Sequence, residues 1–270
     1  MKTRIIAACV LLPIFLMIIL VAPSIYTAIL FGLMAAVGAY ELLQNTGIVT
    51  HTRLTVYAMI MAFAVSLWSY FGCNSLAALV GILLFAFILM AEVMRSDMKL
   101  PIGAVAACFV AGLMIPYLFT SLVRIRQMED GKLFVLAPFV LAFLSDTGAY
   151  FAGIKFGKHK LAPTISPKKT IEGMIGGVLG AIAGMILYGL VMQLVFNFRV
   201  NYLYAVIYGI LGSLTAVFGD LSFSVIKRQT GIKDYGNLIP GHGGILDRFD
   251  SMIFVGPLAE ILLILWPLAV

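Results

Sequence analysis

Residues 224–250 read SVIKRQTGIKDYGNLIPGHGGILDRFD, and long apolar segments lie on both sides of them. The stretch gathers Lys227, Arg228, Lys233, Asp234, His242, Asp247, Arg248 and Asp250 among Gly231, Gly236, Gly241, Gly243 and Gly244. A polar, glycine-rich connection of about 25 residues between two membrane-length helices is uncommon, and loops that long are usually functional or disordered. Cations, carboxylates and freely turning backbone in one segment suit a metal-assisted phosphate site. The plainer alternative is a solvated loop that only carries positive charge on one side of a membrane.

Composition fixes the setting. Of 270 residues, 62% are hydrophobic and 11% charged, and the mean hydropathy is +1.08. A soluble domain carries about 25% charged residues, so the chain reads as an integral membrane protein. Its net charge of +6 then reflects basic loops beside anionic headgroups rather than nucleic acid. Cys9, Cys73 and Cys108 are single and lie in or beside apolar runs, which excludes a disulfide framework and suggests no metal site. The N-terminus resembles a signal peptide, but Ala22-Pro23 is a poor cleavage context and another apolar run follows at once, so it reads as a first span.

Spanning the hydrocarbon takes about 20 apolar residues. On that measure the expected fold is all-α and polytopic, with about nine transmembrane helices at 5–22, 24–43, 54–72, 75–94, 101–123, 133–154, 171–196, 202–226 and 251–268. Residues 1–130 form an N-terminal bundle of five spans, and 131–270 a catalytic region with loops at 155–170 and 227–250. Fourteen of the 18 basic residues fall on one side of this arrangement, against Arg124, Arg126, Lys132 and Arg199 on the other. The positive-inside rule places the N-terminus and both loops in the cytoplasm. Spans 7 and 9 begin at that face, where the positive ends of their helix dipoles favour phosphate. Thr170 or Ser166 is the expected cap of span 7, and Asp250-Ser251 that of span 9.

Carboxylates within apolar spans are costly, about 2.5–3.5 kcal/mol at the bilayer centre on insertion scales. Asp146 and Asp220 lie in the cytoplasmic halves of their spans; Glu260 reads as structural. Asp220, Ser224 and Lys227 share one helical stripe, as do Asp146, Tyr150 and Gly153. Glu41 reads as an interfacial carboxylate reaching for headgroups. Gly173/Gly177 and Gly180/Gly184 permit close helix approach, with packing inside one subunit favoured and a homodimer left open. Together the acids, cations and backbone amides fit phosphoryl or nucleotidyl transfer. Carboxylates would hold Mg²⁺, alone or with a second cation, and the Gly243-Gly244 turn would let the backbone approach phosphates.

Ser224 through Asp250 resembles the signature of the phosphatidate cytidylyltransferases, also called CDP-diacylglycerol synthases. That pattern is Ser, two residues on Lys-Arg, four residues, Lys-Asp, then Pro-x-His-Gly-Gly and Asp-Arg-x-Asp, and every position is filled. Ser145-Asp146-Thr147-Gly148-Ala149-Tyr150, Gly157-Lys158 and Ser166-Pro-Lys-Lys-Thr-Ile-Glu-Gly173 are also similar to the family, so the likeness covers roughly residues 143–255. It implies an enzyme that joins CTP to phosphatidic acid, giving CDP-diacylglycerol and pyrophosphate with Mg²⁺. The expected setting is a bacterial inner membrane, with an organelle membrane left open, and the charge distribution turns the active site towards the cytoplasm.

On this reading Asp220 and Asp247 are the expected metal ligands, because they stand at either end of the polar loop. Asp220, Asp247, Lys227 and Arg248 carry the catalysis. Ser224, Arg228, Lys233, His242, Gly243, Gly244, Lys168, Lys169 and Asp146 contact substrate. The partners are CTP, phosphatidic acid and membrane lipid. A CTP-dependent lipid-alcohol kinase and an ion-coupled transporter are the alternatives. The kinase should depart from the signature; the transporter should gather its acids at midplane and show inverted repeats.

Overall fold

The computed structural model describes residues 2–72, 75–97, 99–238 and 243–269, with backbone alone at 2–8 and 10. His242 and Cys73, both singled out from the sequence, lie outside the described residues. In chain order the elements are α1 (Lys2–Leu20), α2 (Ser24–Tyr40), a π turn (Glu41–Asn45), α3 (Thr52–Phe71), α4 (Ser75–Arg95) and α5 (Ile102–Gln127). Then come α6 (Ala137–Phe156), β1 (Lys160–Ala162), β2 (Ser166–Thr170), α7 (Ile171–Phe196), α8 (Tyr202–Gln229), α9 (Leu246–Phe249) and α10 (Met252–Leu265).

Among the described residues, seven helices are long and apolar enough to cross a membrane: Ser24–Asn45, Thr52–Phe71, Ser75–Arg95, Ile102–Gln127, Gly131–Phe156, Ile171–Phe196 and Tyr202–Gln229. The expected first span falls on α1, of which Leu11–Leu20 is a described apolar stretch, and the ninth corresponds to the shorter apolar helix α10. The protein is a polytopic all-α membrane protein with one small hairpin.

The chain divides into two compact units, Met1–Lys132 with Gln229–Phe249, and Leu133–Arg228 with Asp250–Val270. In the first, α2 packs along α3: Ser66 donates to the Ala28 carbonyl at 2.7 Å, and Gly32 leaves room for the Phe63 ring. Phe15, Phe31, Phe119 and Phe249 stack edge-on or tilted, with centroids 5.0–6.1 Å apart. Two arginines near the end of α5 close off helix carbonyls. Arg126, 7% exposed, donates from Nε to Ile19 O at 2.6 Å and from Nη2 to Ala22 O at 3.3 Å. Arg124 donates to Ser69 Oγ and Tyr117 O and lies over the Tyr117 ring.

In the second unit α6 and α7 touch backbone to backbone. A Cβ on Gly148 would fall 2.4 Å from Gly176 O, and one on Gly180 2.5 Å from Leu144 O. Gly177 and Gly184 also face α6, so the small-residue spacing of α7 serves packing within one chain. Ser145 and Ser213 share a 2.7 Å hydrogen bond between α6 and α8.

Two local expectations need correction. The stretch 155–170 holds a hairpin, with Lys160 opposite Thr170 and Ala162 opposite Ser166. The helix starts at Ile171, as the expected span 171–196 has it, while Pro167 biases Ser166 to extended backbone. Thr170 is the cap, its Oγ1 accepting from Gly173 N at 3.1 Å. At α10 the Ser251 side chain makes no capping bond; Asp250 Oδ1 instead accepts from Ser251 N at 2.7 Å.

Candidate active site

Asp220 is the centre of a cluster in the second unit. It stands one turn below Ser224 on α8, and the Ser224 hydroxyl donates to its Oδ1 at 3.2 Å. The opposite oxygen, Oδ2, lies 2.5 Å from Lys169 Nζ, with the two side chains 33% and 25% exposed. This is a charge-assisted contact at the short end of its range.

Lys169 reaches Asp220 because the hairpin is fastened at several points. Glu172 accepts from the amides of Lys158 and His159 and sits 2.6 Å from His159 Nδ1. Ile171 N donates to His159 O at 2.9 Å. Arg228, at the end of α8, donates from Nε to Ile165 O in the hairpin turn at 3.1 Å. A residue expected to meet substrate therefore also ties the hairpin to α8. Lys168, next to Lys169, points outward and is exposed.

Gly219 brings a third element close. A Cβ there would fall 3.0 Å from both Asp250 O and Ser251 Cα. Asp250 consequently lies within electrostatic range of Asp220, Lys227 and Asp146. Burial pushes its carboxyl up to about 7; Asp220 and, more weakly, Asp146 push the same way, while Lys227 opposes. Asp146 on α6 also lies within range of Asp220 and Lys169. With all groups ionised, three carboxylates face two lysines. That leaves an excess negative charge of the kind a divalent cation reverses.

Among the described residues no three His, Cys, Asp or Glu side chains converge as a ready-made metal cage. Mg²⁺ does not need one, since it binds through one or two carboxylates and completes its shell with water and substrate phosphate. An acid-rich cluster around Asp220 fits that donor set.

The polar loop belongs to the first unit and is organised by two other carboxylates. Asp247 Oδ2 accepts from Tyr235 N at 2.7 Å and from Gly244 N at 3.0 Å. Glu41 accepts from Ile245 N and Leu246 N, each at 2.9 Å. Asn45 donates to Tyr235 O at 2.7 Å. Gly243 adopts a φ of +87°, a conformation that suits glycine. Lys233 and Arg248 are exposed.

Glu41 corrects the sequence expectation. It is 2% exposed and bonded to protein amides, not reaching for headgroups. Its only sequence signal is a lone acid in an apolar run. Asp250 carries a related ambiguity, since Asp-Ser before an apolar run reads as a cap.

This polytopic fold, with an acid–lysine cluster beside a helix-capping hairpin, defines a membrane protein that gathers charged side chains around one of its long helices. The chain belongs to the cytidylyltransferase family, whose sequence pattern matches residues 2–266. A phosphatidate cytidylyltransferase of Staphylococcus haemolyticus is 36% identical over 266 residues, covering 98% of this chain and 99% of its own. The protein of that name from Staphylococcus epidermidis is 36% identical over 273 residues, with the same coverage. One from Staphylococcus aureus is 43% identical over 136 residues, 50% of this chain and 51% of its own.

Proposed function

We propose that this chain transfers the cytidylyl group of CTP to phosphatidic acid, releasing pyrophosphate and forming CDP-diacylglycerol. The observation that carries the reading is the Lys169–Asp220–Ser224 arrangement with Asp146, Lys227 and Asp250 around it. It lies in a chain that matches phosphatidate cytidylyltransferases over 98% of its length.

A lipid phosphate oxygen attacks the α-phosphorus of CTP, and the bond from that phosphorus to the β-phosphate oxygen breaks. The nucleophile is already ionised at neutral pH, so the protein supplies position and charge rather than a general base. Lys169 leaves Asp220 for a phosphate oxygen when substrate arrives, and Lys227 adds a second positive charge. Ser224 holds Asp220 in its rotamer. Asp220 and Asp247 are each proposed as a ligand for Mg²⁺, with Asp250 a further one. The ion, when bound, offsets the negative charge that builds up on the phosphates. Arg228, Lys233, Arg248 and His242 are proposed substrate contacts, Lys168 is a peripheral one of small effect, the Gly243-Gly244 turn shapes the loop that carries Lys233 and Arg248, and Asp146 tunes the charge at Asp220. The cluster faces the cytoplasm of a bacterial inner membrane; the support is the 14-to-4 distribution of basic residues and the bacterial sources of the relatives.

The test is purified protein in detergent with phosphatidic acid, Mg²⁺ and CTP labelled on the α- or the γ-phosphate. The expected result is α-label in the lipid and γ-label in pyrophosphate. Entry of the γ-label into lipid would make the protein a kinase, and movement of neither label would end the enzyme reading.

A further inference from the structure

We infer that Glu41 is a positioning residue whose buried carboxylate fixes the 243–247 turn, and with it Asp247 and Arg248. The role these two residues play in turnover rests on the function proposed above; the geometry does not. The amides of Ile245 and Leu246 both donate to Glu41, from opposite carboxylate oxygens, at 2.9 Å. The amide just before them, Gly244 N, donates to Asp247. Three consecutive backbone donors of the glycine-rich turn are therefore satisfied by the chain's own carboxylates. An anion already occupies the seat that a phosphate would otherwise take, so these amides shape the loop that carries Lys233 and Arg248.

Two glycines are shaped to this carboxylate. A Cβ on Gly244 would fall 2.4 Å from Glu41 Oε1, and one on Gly236 2.6 Å from the same oxygen. The π turn at Glu41–Asn45 sets Asn45 to hold Tyr235 O from the same helix end. Tyr235 N in turn donates to Asp247. Glu41 and Asn45 thus grip both strands of the loop, and Asp247 is the tie between them.

The predicted consequence is size complementarity. In the full chain, Glu41→Gln keeps one amide bond and turns an NH₂ towards the other donor. Its kcat per folded molecule should fall at least about tenfold, and the Mg²⁺ concentration for half-maximal rate should rise, with folded yield retained. Gly244→Ala should show the same defect. The double variant Glu41→Asp/Gly244→Ala, in which a shorter acid makes room for the new methyl, should recover activity relative to Gly244→Ala. Gly236→Ala probes the same contact from the other strand. Wild-type kcat and Mg²⁺ dependence in Glu41→Gln, or multiplicative losses in the double variant, would overturn the inference. Hydrogen exchange separates this from a failure of the proposed reaction. Faster exchange at 244–246 in Glu41→Gln supports the inference even if wild-type protein transfers no label, and unchanged exchange overturns it.

Discussion

Lys169 Nζ stands 2.5 Å from Asp220 Oδ2, so the central acid of the cluster is paired with a hairpin lysine while Ser224 holds its other oxygen. On the function proposed above, the pair would couple substrate capture to release of the acid, because Lys169 cannot serve Asp220 and a phosphate equally. Removing one partner leaves the other charge uncompensated in a partly enclosed place. Asp220→Asn should cut kcat/KM by about a thousandfold, and Lys169→Ala should cost about a hundredfold. The double variant should lose much less than the product of the two. Multiplicative losses in label transfer would show that the two side chains act independently.

Neighbouring lysines should behave unequally. Lys168 is exposed and, among the described residues, makes no ion pair or hydrogen bond. Lys168→Ala should change kcat/KM by less than about threefold, in keeping with the small worth of exposed charges. If Lys168→Ala were as damaging as Lys169→Ala, the hairpin register would not be what separates their roles.

Asp250 should make stability depend on pH. Its ordinary value is 3.8 and its folded value about 7, raised chiefly by burial. Between those values the unfolded chain loses the proton while the folded chain keeps it. Folding therefore weakens as pH climbs from about 4 to about 7 and stays weakened above that. Without divalent cations, the melting temperature of the wild type should fall relative to Asp250→Asn between about pH 4 and pH 7. Added Mg²⁺ should narrow the gap at the upper end. Parallel melting profiles would remove Asp250 from the coupled cluster.

The α6–α7 contact should not tolerate added volume. A Cβ on Gly176 would fall 2.1 Å from Ala152 Cβ, whereas at Gly81 and Gly103 nothing lies within 4 Å. Gly176→Leu should destabilise by about 1–3 kcal/mol or more, the usual cost of overpacking. Thermal unfolding in detergent should show Gly81→Ala and Gly103→Ala close to wild type. Equal melting temperatures for all three variants would refute the backbone contact.

What could be read in advance was whatever depends on short spacing. Asp220 and Ser224 are four apart on a helix, so their bond follows from the helical period. Thr170 precedes an apolar run, and it caps α7. The α7 glycines at four-residue spacing do face a neighbouring helix. What was not legible depends on partners distant in sequence. Glu41 meets amides 204 and 205 residues away, and no local pattern marks such a pairing. Lys169 meets Asp220 only because a hairpin forms where the sequence suggested a loop. Asp250 joins the cluster through the missing side chain of Gly219, which reads as an unremarkable helix glycine until its neighbour is known.

Arg126 carries a consequence for biogenesis. Its guanidinium ends buried against Ile19 O and Ala22 O, at the far end of a helix made more than a hundred residues earlier. An arginine entering the bilayer without a partner is penalised, by about 2.5–3.5 kcal/mol at mid-depth on insertion scales and less near the edge. The partner carbonyls exist only once α1 is in place and has ended. The first helix should then serve as a docking post for the fifth, and a chain lacking it should insert the Arg126 end less efficiently, which would give the nascent chain an order of assembly.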